Sequence, residues 1–215
     1  IRQADKGKPF VLFEDFRADP DAYRLMTPSG KIEIYSETVA AFDYDDCPGH
    51  ATWLEPVEWL GADLAKTYPL HLISNQPASR LHSQLDNGII AQEAKVAGRE
   101  AVTLHPDDAA ARNIKDGDVV RLFNDRGECL AGAVISDGIS PGIVQLPTGA
   151  WYDPTRPGQT GSLDKHGNPN ILTRDAGTSS LAQGPTAHSC LVEVEVYEGK
   201  PSPITAFRPP RMENR

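Results

Sequence analysis

Several features that mark common protein classes are scarce or missing in this sequence of 215 residues. No apolar run approaches the length of a membrane-spanning helix, so we expect no membrane span. Lysine and arginine number 21 against 30 acidic residues, and they form no basic cluster. With a formal net charge of −9, the chain is poorly suited to neutralise a phosphate backbone. We therefore expect no nucleic-acid partner.

Cysteine is also scarce, because Cys47, Cys129 and Cys190 are the only three and lie far apart. This spacing argues against a CxxC metal site and a dense disulfide framework, and favours small buried hydrophobic residues. His71, His105 and His188 are interpreted as structural, because none of them stands at metal-ligand spacing from another histidine or cysteine. His50 and His166 adjoin glycine and are predicted to face solvent. The GxGxxG, Walker and GxSxG patterns are absent as well.

What remains is the composition of an ordinary globular protein, with 39% hydrophobic and 24% charged residues. The length suits one or two domains, each with a hydrophobic core. The sequence begins with Ile1 rather than methionine, so we expect a fragment or a processed product. Any targeting signal would then lie outside this sequence.

From Tyr68 onward, short apolar runs alternate with glycine-containing turns. Pro106 opens one helix with acidic residues in its first turn, and Asn124–Gly127 has strong hairpin-turn chemistry. Strands are predicted at residues 68–73, 99–104, 118–123, 128–136, 143–146 and 189–197. Many short strands with a single short helix predict a closed or nearly closed barrel.

The sequence before Tyr68 has a different character. Residues 31–35 alternate like a half-buried strand, Ser36 can start a helix, and residues 43–65 are rich in proline, glycine and tryptophan. We therefore predict three segments. These are an extension or connector from a preceding domain at 1–67, a barrel at 68–200 and a C-terminal tail at 201–215.

Polar side chains gather where predicted strands end. The first predicted strand breaks at Ser74–Ser79, and Arg80, His82, Ser83 and Gln84 follow at once. Amide and hydroxyl groups in such loops can match the donor and acceptor edges of a heterocyclic ligand. Each amide alone is more often a turn residue that satisfies its own backbone, but as a group they favour a site. His82 could be a general acid, although a hydrogen-bond donor is the more common role.

Three separated motifs carry a family resemblance: SNQPASRLHSQLD at 74–86, the block 99–142, and GAWYDP at 149–154. Together they resemble the C-terminal domain of the dimethyl sulfoxide reductase family of molybdoenzymes, most closely its biotin sulfoxide reductase and trimethylamine N-oxide reductase members. The resemblance covers nearly the whole chain. It implies a mainly β fold with short helices, a six-stranded double-psi β-barrel preceded by an extension from an upstream domain. It also implies a role in holding bis(molybdopterin guanine dinucleotide) with its molybdenum.

The resemblance implies which residues contact that cofactor. They are Ser74, Asn75, Gln76, Arg80, His82, Ser83, Gln84, Trp151, Tyr152, Asn168, Asn170 and Gln183. In this family the metal ligand lies in an earlier domain, so we expect no catalytic residue and no metal ligand in this chain. The chain alone should therefore be inactive, and its expected partners are the upstream domains of the same enzyme.

For the intact enzyme, the resemblance implies a two-electron reduction of a small S-oxide or N-oxide by oxygen-atom transfer. The choice among biotin or methionine sulfoxide, dimethyl sulfoxide and trimethylamine N-oxide stays open. The biotin sulfoxide type implies a cytoplasmic location, and the other members make the periplasm the alternative. A different function is also open, since a stand-alone double-psi barrel can serve as a protein-interaction or adaptor module.

Overall fold

The computed structural model describes residue 7 and residues 9–209. The described residues fall into two compact units. The first contains the residues up to Leu54 together with Ser179–Leu181, and the second contains the rest. The segment boundaries predicted after residues 67 and 200 stay predictions.

The first unit has two short helices, α1 at Glu14–Ala18 and α2 at Glu37–Ala40. The predicted helix start at Ser36 is confirmed, because its side-chain oxygen accepts a hydrogen bond from the backbone N–H of Val39 at 3.3 Å. The strand predicted at residues 31–35 is wrong, since that segment forms bends. Within the described residues no strand pairs with it, and alternation without a pairing partner does not produce a strand.

The second unit is built around a closed barrel of six strands in the order β1-β5-β2-β4-β3-β6. The strands are β1 Leu70–Ile73, β2 Ala101–Leu104, β3 Val119–Asn124, β4 Gly127–Ile135, β5 Ile143–Gln145 and β6 Leu191–Val196. Its helices are α3 Ile89–Glu93 and α4 Pro106–Ala111, with 3₁₀ turns at Asp63–Lys66 and Pro169–Ile171. The predicted six-stranded double-psi β-barrel is confirmed. Helix α4 confirms the helix predicted near Pro106, whereas α3 is a helix that the sequence analysis does not predict.

Along β1, β2 and β3, alternate residues are apolar and buried in the barrel interior. Leu72, Val102, Leu104, Val120 and Leu122 are completely buried. Their neighbours along each strand are only partly buried, which is the period of two expected for a barrel wall. The interior is therefore filled by side chains and leaves the barrel ends as the places where loops can form a site.

The segment before β1 is part of this second unit. The carboxylate of Glu58, which is 2% exposed, forms two hydrogen bonds with the guanidinium of Arg126 at 2.7 and 3.0 Å. It also accepts the backbone N–H of Leu191 at 2.9 Å. A buried bidentate pair of this kind ties the connector to the β3–β4 turn and to the start of β6.

Strand direction decides which loops meet. Strands β1 and β5 are parallel neighbours, and β2 runs antiparallel to β5. The ends of β1 and β5 and the start of β2 therefore lie at one edge of the barrel, which we call the loop edge. None of the helices among the described residues has the length and hydrophobicity of a membrane span.

Candidate functional site

At the loop edge, the loop after β1 (residues 74–88) contacts the loop after β5 (residues 146–153). The backbone N–H of Thr148 donates to the carbonyl of Asn75 at 2.9 Å. The indole N–H of Trp151 donates to the carbonyl of Ser83 at 2.8 Å. The structure thus brings together two groups of predicted site residues, namely Ser74, Asn75, Gln76, Arg80, His82, Ser83 and Gln84 with Trp151 and Tyr152.

The two loops approach each other closely at Gly149. A Cβ atom at this position would lie 2.0 Å from the carbonyl oxygen of His82, and the φ angle of Gly149 is +96°. Only glycine fits such a contact at such an angle. His82 and Leu85 adopt left-handed φ angles of 46° and 60°, a conformation that costs energy in non-glycine residues and is common at functional sites.

Beneath these loops lies a network of four buried charged side chains. Arg80 donates from both terminal nitrogens to the carboxylate of Glu100, at 3.3 and 3.0 Å. The Lys95 ammonium lies 2.9 Å from Glu100 and 2.8 Å from Asp86. All four side chains are at most 6% exposed. Two cations therefore balance two carboxylates, as buried charges require.

The remaining donors of Arg80 hold the two loops. Its Nε donates to the carbonyl of His82 at 3.0 Å, and its Nη2 donates to the carbonyl of Thr148 at 3.1 Å. The amide of Gln76 adds a bond to the carbonyl of Arg80 at 2.7 Å. The structure thus places the guanidinium of Arg80 inside the protein, whereas the side chains of His82, Ser83 and Gln84 are exposed.

His166 joins this buried region. The prediction that it faces solvent is wrong, because its side chain is completely buried and its Nδ1 lies 2.9 Å from the carbonyl oxygen of Trp151. Burial and the nearby charge of Lys95 lower the pKa of His166, so the ring is neutral at neutral pH. The same prediction is confirmed for His50, which is exposed.

Asp164 fixes the backbone conformation of the segment at residues 164–168, which contains His166. Its buried carboxylate accepts four backbone N–H groups at 2.7 to 3.2 Å, from residues 153, 166, 167 and 168. The backbone N–H of Glu100 in turn donates to the carbonyl of His166 at 2.9 Å. A carboxylate that collects several backbone donors fixes a local turn strongly, and here it links the backbone of Asp153 to that of residues 166–168.

Three of the predicted amides have other surroundings. The side-chain oxygen of Asn168 accepts the backbone N–H of Asn170 at 3.0 Å and caps the 3₁₀ turn that follows. Asn170 is exposed. Gln183 lies beside Gly177 in a separate exposed segment. Among residues 9–209, no hydrogen bond links Gln183 to the loops after β1 and β5, so the structure does not bring it together with the others.

The side-chain oxygen of Asn75 is the clearest sign that a ligand belongs here. It is buried and has no hydrogen-bond partner in the described part of the chain, although a buried acceptor normally has one. It lies in the same loop as the exposed side chains of His82, Ser83 and Gln84. These groups are amides, a hydroxyl and an imidazole rather than cations. Such a set fits the donor and acceptor edges of a pterin or a guanine.

The sequence analysis missed the charged residues that build this site. They are Asp86, Lys95, Glu100, Asp153 and Asp164, together with the neutral His166. A buried charge looks like a surface charge in a sequence, and the only available signal was the position of Asp86 within the 74–86 motif. The described residues contain no group of His, Cys, Asp and Glu side chains arranged to hold a metal ion.

Comparison with known proteins gives consistent matches. Residues 70–191 match the family model described as Molydopterin dinucleotide binding domain. The chain is 50% identical over 206 residues to the dimethyl sulfoxide/trimethylamine N-oxide reductase of Cereibacter sphaeroides, covering 96% of this chain and 25% of that protein. It is 52% identical over 203 residues to trimethylamine-N-oxide reductase 1 of Escherichia coli strain K12, covering 94% of this chain and 24% of that protein. The chain thus spans about a quarter of the length of these curated relatives.

A solved structure also matches. Acetylene hydratase from Pelobacter acetylenicus superposes with a TM-score of 0.66 and 21% sequence identity. The match covers 83% of this chain and 25% of the hydratase chain. At this level of identity the likeness supports the fold alone.

Proposed function

Since this chain belongs to the family of molydopterin dinucleotide binding domains, as its motifs predict, we propose that its loop edge binds bis(molybdopterin guanine dinucleotide) carrying molybdenum. The curated relatives at about half identity are reductases named for dimethyl sulfoxide and trimethylamine N-oxide. We infer that the chain is the cofactor-binding part of an oxidoreductase of this type. The metal ligand and the catalytic residues then belong to upstream domains, and the chain alone is inactive.

The observation that carries this proposal is the unpartnered side-chain oxygen of Asn75 at the junction of two loops. An N–H group of the pterin or guanine would satisfy it. The exposed side chains of His82, Ser83 and Gln84 supply further donors and acceptors, and Trp151 and Tyr152 supply aromatic surfaces. When bound, the cofactor supplies two-electron redox chemistry, and the protein supplies binding and orientation.

The other predicted contacts divide by their surroundings. Arg80 and Asn168 already have partners within the protein, so we assign them to hold the loops in place. Asn170 and Gln183 are exposed and stay candidates for contacts with the cofactor. The chain's net charge of −9 opposes an anionic dinucleotide, so affinity must come from these local donors.

We propose a small S-oxide or N-oxide as the substrate of the intact enzyme, reduced by oxygen-atom transfer. The motifs resemble those of the biotin sulfoxide reductase and trimethylamine N-oxide reductase members, and the choice among biotin or methionine sulfoxide, dimethyl sulfoxide and trimethylamine N-oxide stays open. The matches do not favour the adaptor alternative, because both curated relatives cited are reductases. We also propose a cytoplasmic location, with the periplasm as the alternative. A twin-arginine signal in the reading frame upstream of Ile1 would contradict the cytoplasmic location.

The cofactor proposal is tested by acid treatment of the purified full-length enzyme, followed by mass spectrometry of the released nucleotide. We expect guanine nucleotide from the wild type. Replacing His82 and Gln84 together with alanine should weaken cofactor binding roughly thirtyfold and so lower the nucleotide content, since two lost hydrogen bonds at about 1 kcal/mol each amount to about 2 kcal/mol.

The matched control replaces His50 and Gln159, two exposed residues that belong to neither the loop after β1 nor the loop after β5, and should leave the nucleotide content unchanged. Absence of guanine nucleotide from the wild type would refute the proposed cofactor. Full nucleotide content in the His82→Ala/Gln84→Ala variant would refute the assignment of these two residues.

A further inference from the structure

The C-terminal segment after β6 runs across loops of the barrel without forming a helix or strand between residues 201 and 209. Its path begins at Arg99, which donates from Nη2 to the carbonyl of Ser202 at 3.0 Å. The ammonium of Lys165 lies 3.3 Å from the carbonyl of Pro203. A segment without regular structure is held only by such contacts, so their positions show what the segment is attached to.

The densest contacts are at Asp153, two residues after Trp151. The Thr205 hydroxyl donates to one carboxylate oxygen of Asp153 at 2.5 Å, and its backbone N–H donates to the other at 2.6 Å. Ala206 N–H adds a bond at 3.1 Å, and Lys165 lies 3.0 Å away. Burial opposes ionisation of this carboxyl, but the hydrogen bonds from Thr205 and the charge of Lys165 hold the pKa of Asp153 below its ordinary value. The carboxylate is therefore ionised and fully paired.

Phe207 extends the segment to the site itself. Its ring centroid lies 5.3 Å from that of Trp151 and 5.0 Å from that of His166. Trp151 is the residue whose indole N–H holds the carbonyl of Ser83. A continuous series of contacts thus runs from the C-terminal segment through Trp151 to the exposed loop after β1.

We propose that residues 202–207 form a clasp that positions the loop carrying Trp151 and Tyr152, and that Thr205 and Phe207 are positioning residues for the cofactor. This inference rests on the proposed function. The clasp contacts the loop after β5 at the carboxylate of Asp153 and at the ring of Trp151. It therefore determines how firmly that loop is held against the loop after β1. When the contacts of the clasp are lost, the loop after β5 becomes more mobile and the bound dinucleotide can dissociate.

The test uses the full-length enzyme and three variants. Thr205→Val keeps the shape of the side chain and removes the hydroxyl, whereas Thr205→Ser keeps the hydroxyl. Phe207→Ala removes the ring. Two rates are measured for each protein: amide hydrogen exchange in residues 150–153 by mass spectrometry, and release of guanine nucleotide after dilution. The control is Thr27→Val, which removes a hydroxyl that donates to the carbonyl of Lys31 at 2.6 Å in the first unit.

We expect Thr205→Val and Phe207→Ala to raise both rates roughly tenfold, the effect of losing one charge-assisted or aromatic contact. Thr205→Ser and Thr27→Val should leave both rates near those of the wild type. Faster exchange without faster release would mean that the segment only stabilises the fold, which overturns the clasp and leaves the proposed function intact. Unchanged exchange in Thr205→Val and Phe207→Ala would also overturn the clasp. A wild-type enzyme without guanine nucleotide overturns the proposed function and this inference together.

Discussion

The barrel interior and the charged network beneath the loop edge are both closed to solvent, yet they contain opposite kinds of side chain. In the interior, Leu72, Leu104 and Leu122 are completely buried among other apolar residues. At the loop edge, Arg80 and Asp86 have side chains with no exposure at all. The first region is stabilised by the removal of apolar surface from water, and the second by the pairing of charges that water no longer solvates.

This difference explains how one chain can have a robust fold and a specific site. Apolar burial is not directional, so an interior of suitable volume accepts several packings of similar energy. Hydrogen-bonded ion pairs require defined distances and angles, and Arg80 meets four separate acceptor groups. The loops that these pairs hold are therefore restricted to one arrangement, which a binding site needs and a core does not.

The largest expected effect comes from removing a charge at the loop edge. Arg80→Met should lower the free energy of unfolding by about 3–5 kcal/mol, because it leaves buried carboxylates without sufficient positive charge. The double change Arg80→Met/Glu100→Leu should recover part of this loss, since the remaining Lys95 and Asp86 still balance each other. Both values come from denaturant unfolding of the 215-residue chain.

Arg121→Met provides the control for this prediction, because the Arg121 side chain is 31% exposed. Its ion pairs should contribute only about 0–1 kcal/mol. If Arg80→Met cost no more than Arg121→Met, the loop edge would not depend on charge pairing, and the contrast with the interior would be lost.

The next prediction compares a substitution in the barrel interior with one at the loop edge. Leu122→Ala should cost about 2–5 kcal/mol through lost burial and a residual cavity, whereas Leu122→Met should cost less than about 1.5 kcal/mol. Arg80→Lys keeps the charge but should still loosen the loops, because lysine cannot form the forked bonds to Glu100. Hydrogen exchange in residues 81–86 should therefore accelerate in Arg80→Lys and stay unchanged, relative to global unfolding, in Leu122→Met. Equal exchange in the two variants would contradict the distinction.

The smallest expected effect is a pH dependence from His166. Its pKa is lowered in the folded state, so the unfolded state binds the proton more readily. The contribution of neutral His166 is complete above the unfolded pKa of about 6.5 and is lost as pH falls from there toward the folded pKa. One such group changes the unfolding free energy by at most about 1.4 kcal/mol per pH unit.

Unfolding free energies measured from pH 7.5 to pH 5 should therefore decline less steeply in His166→Gln than in the wild type. The exposed His50 gives the control variant His50→Gln, which should keep the wild-type slope. An identical slope in His166→Gln would show that the burial of neutral His166 makes no pH-dependent contribution to stability.

The barrel could be predicted from the sequence because strand patterning is local. Alternation in residues such as Val120–Leu122, together with the turn at Asn124–Gly127, specifies a strand wherever a partner strand exists. The strand predicted at residues 31–35 is wrong for a related reason. Its alternating pattern is local, but a strand also needs a partner strand, which lies elsewhere in the chain. The motif at 74–86 likewise identified the family, and the match of residues 70–191 confirms it.

By itself, the sequence determined the barrel, the family and the loop motifs at 74–86 and 149–154, since each of these is marked by patterns that are local along the chain. Only the tertiary structure decided that Arg80 is buried with Glu100, that His166 is closed off from solvent and that Thr205 meets Asp153. Those facts depend on the strand order that brings distant loops to one edge. The physical reason is that the sequence does not show whether a charged or polar side chain will be solvated by water or paired with another residue. The answer depends on which segments the fold brings together.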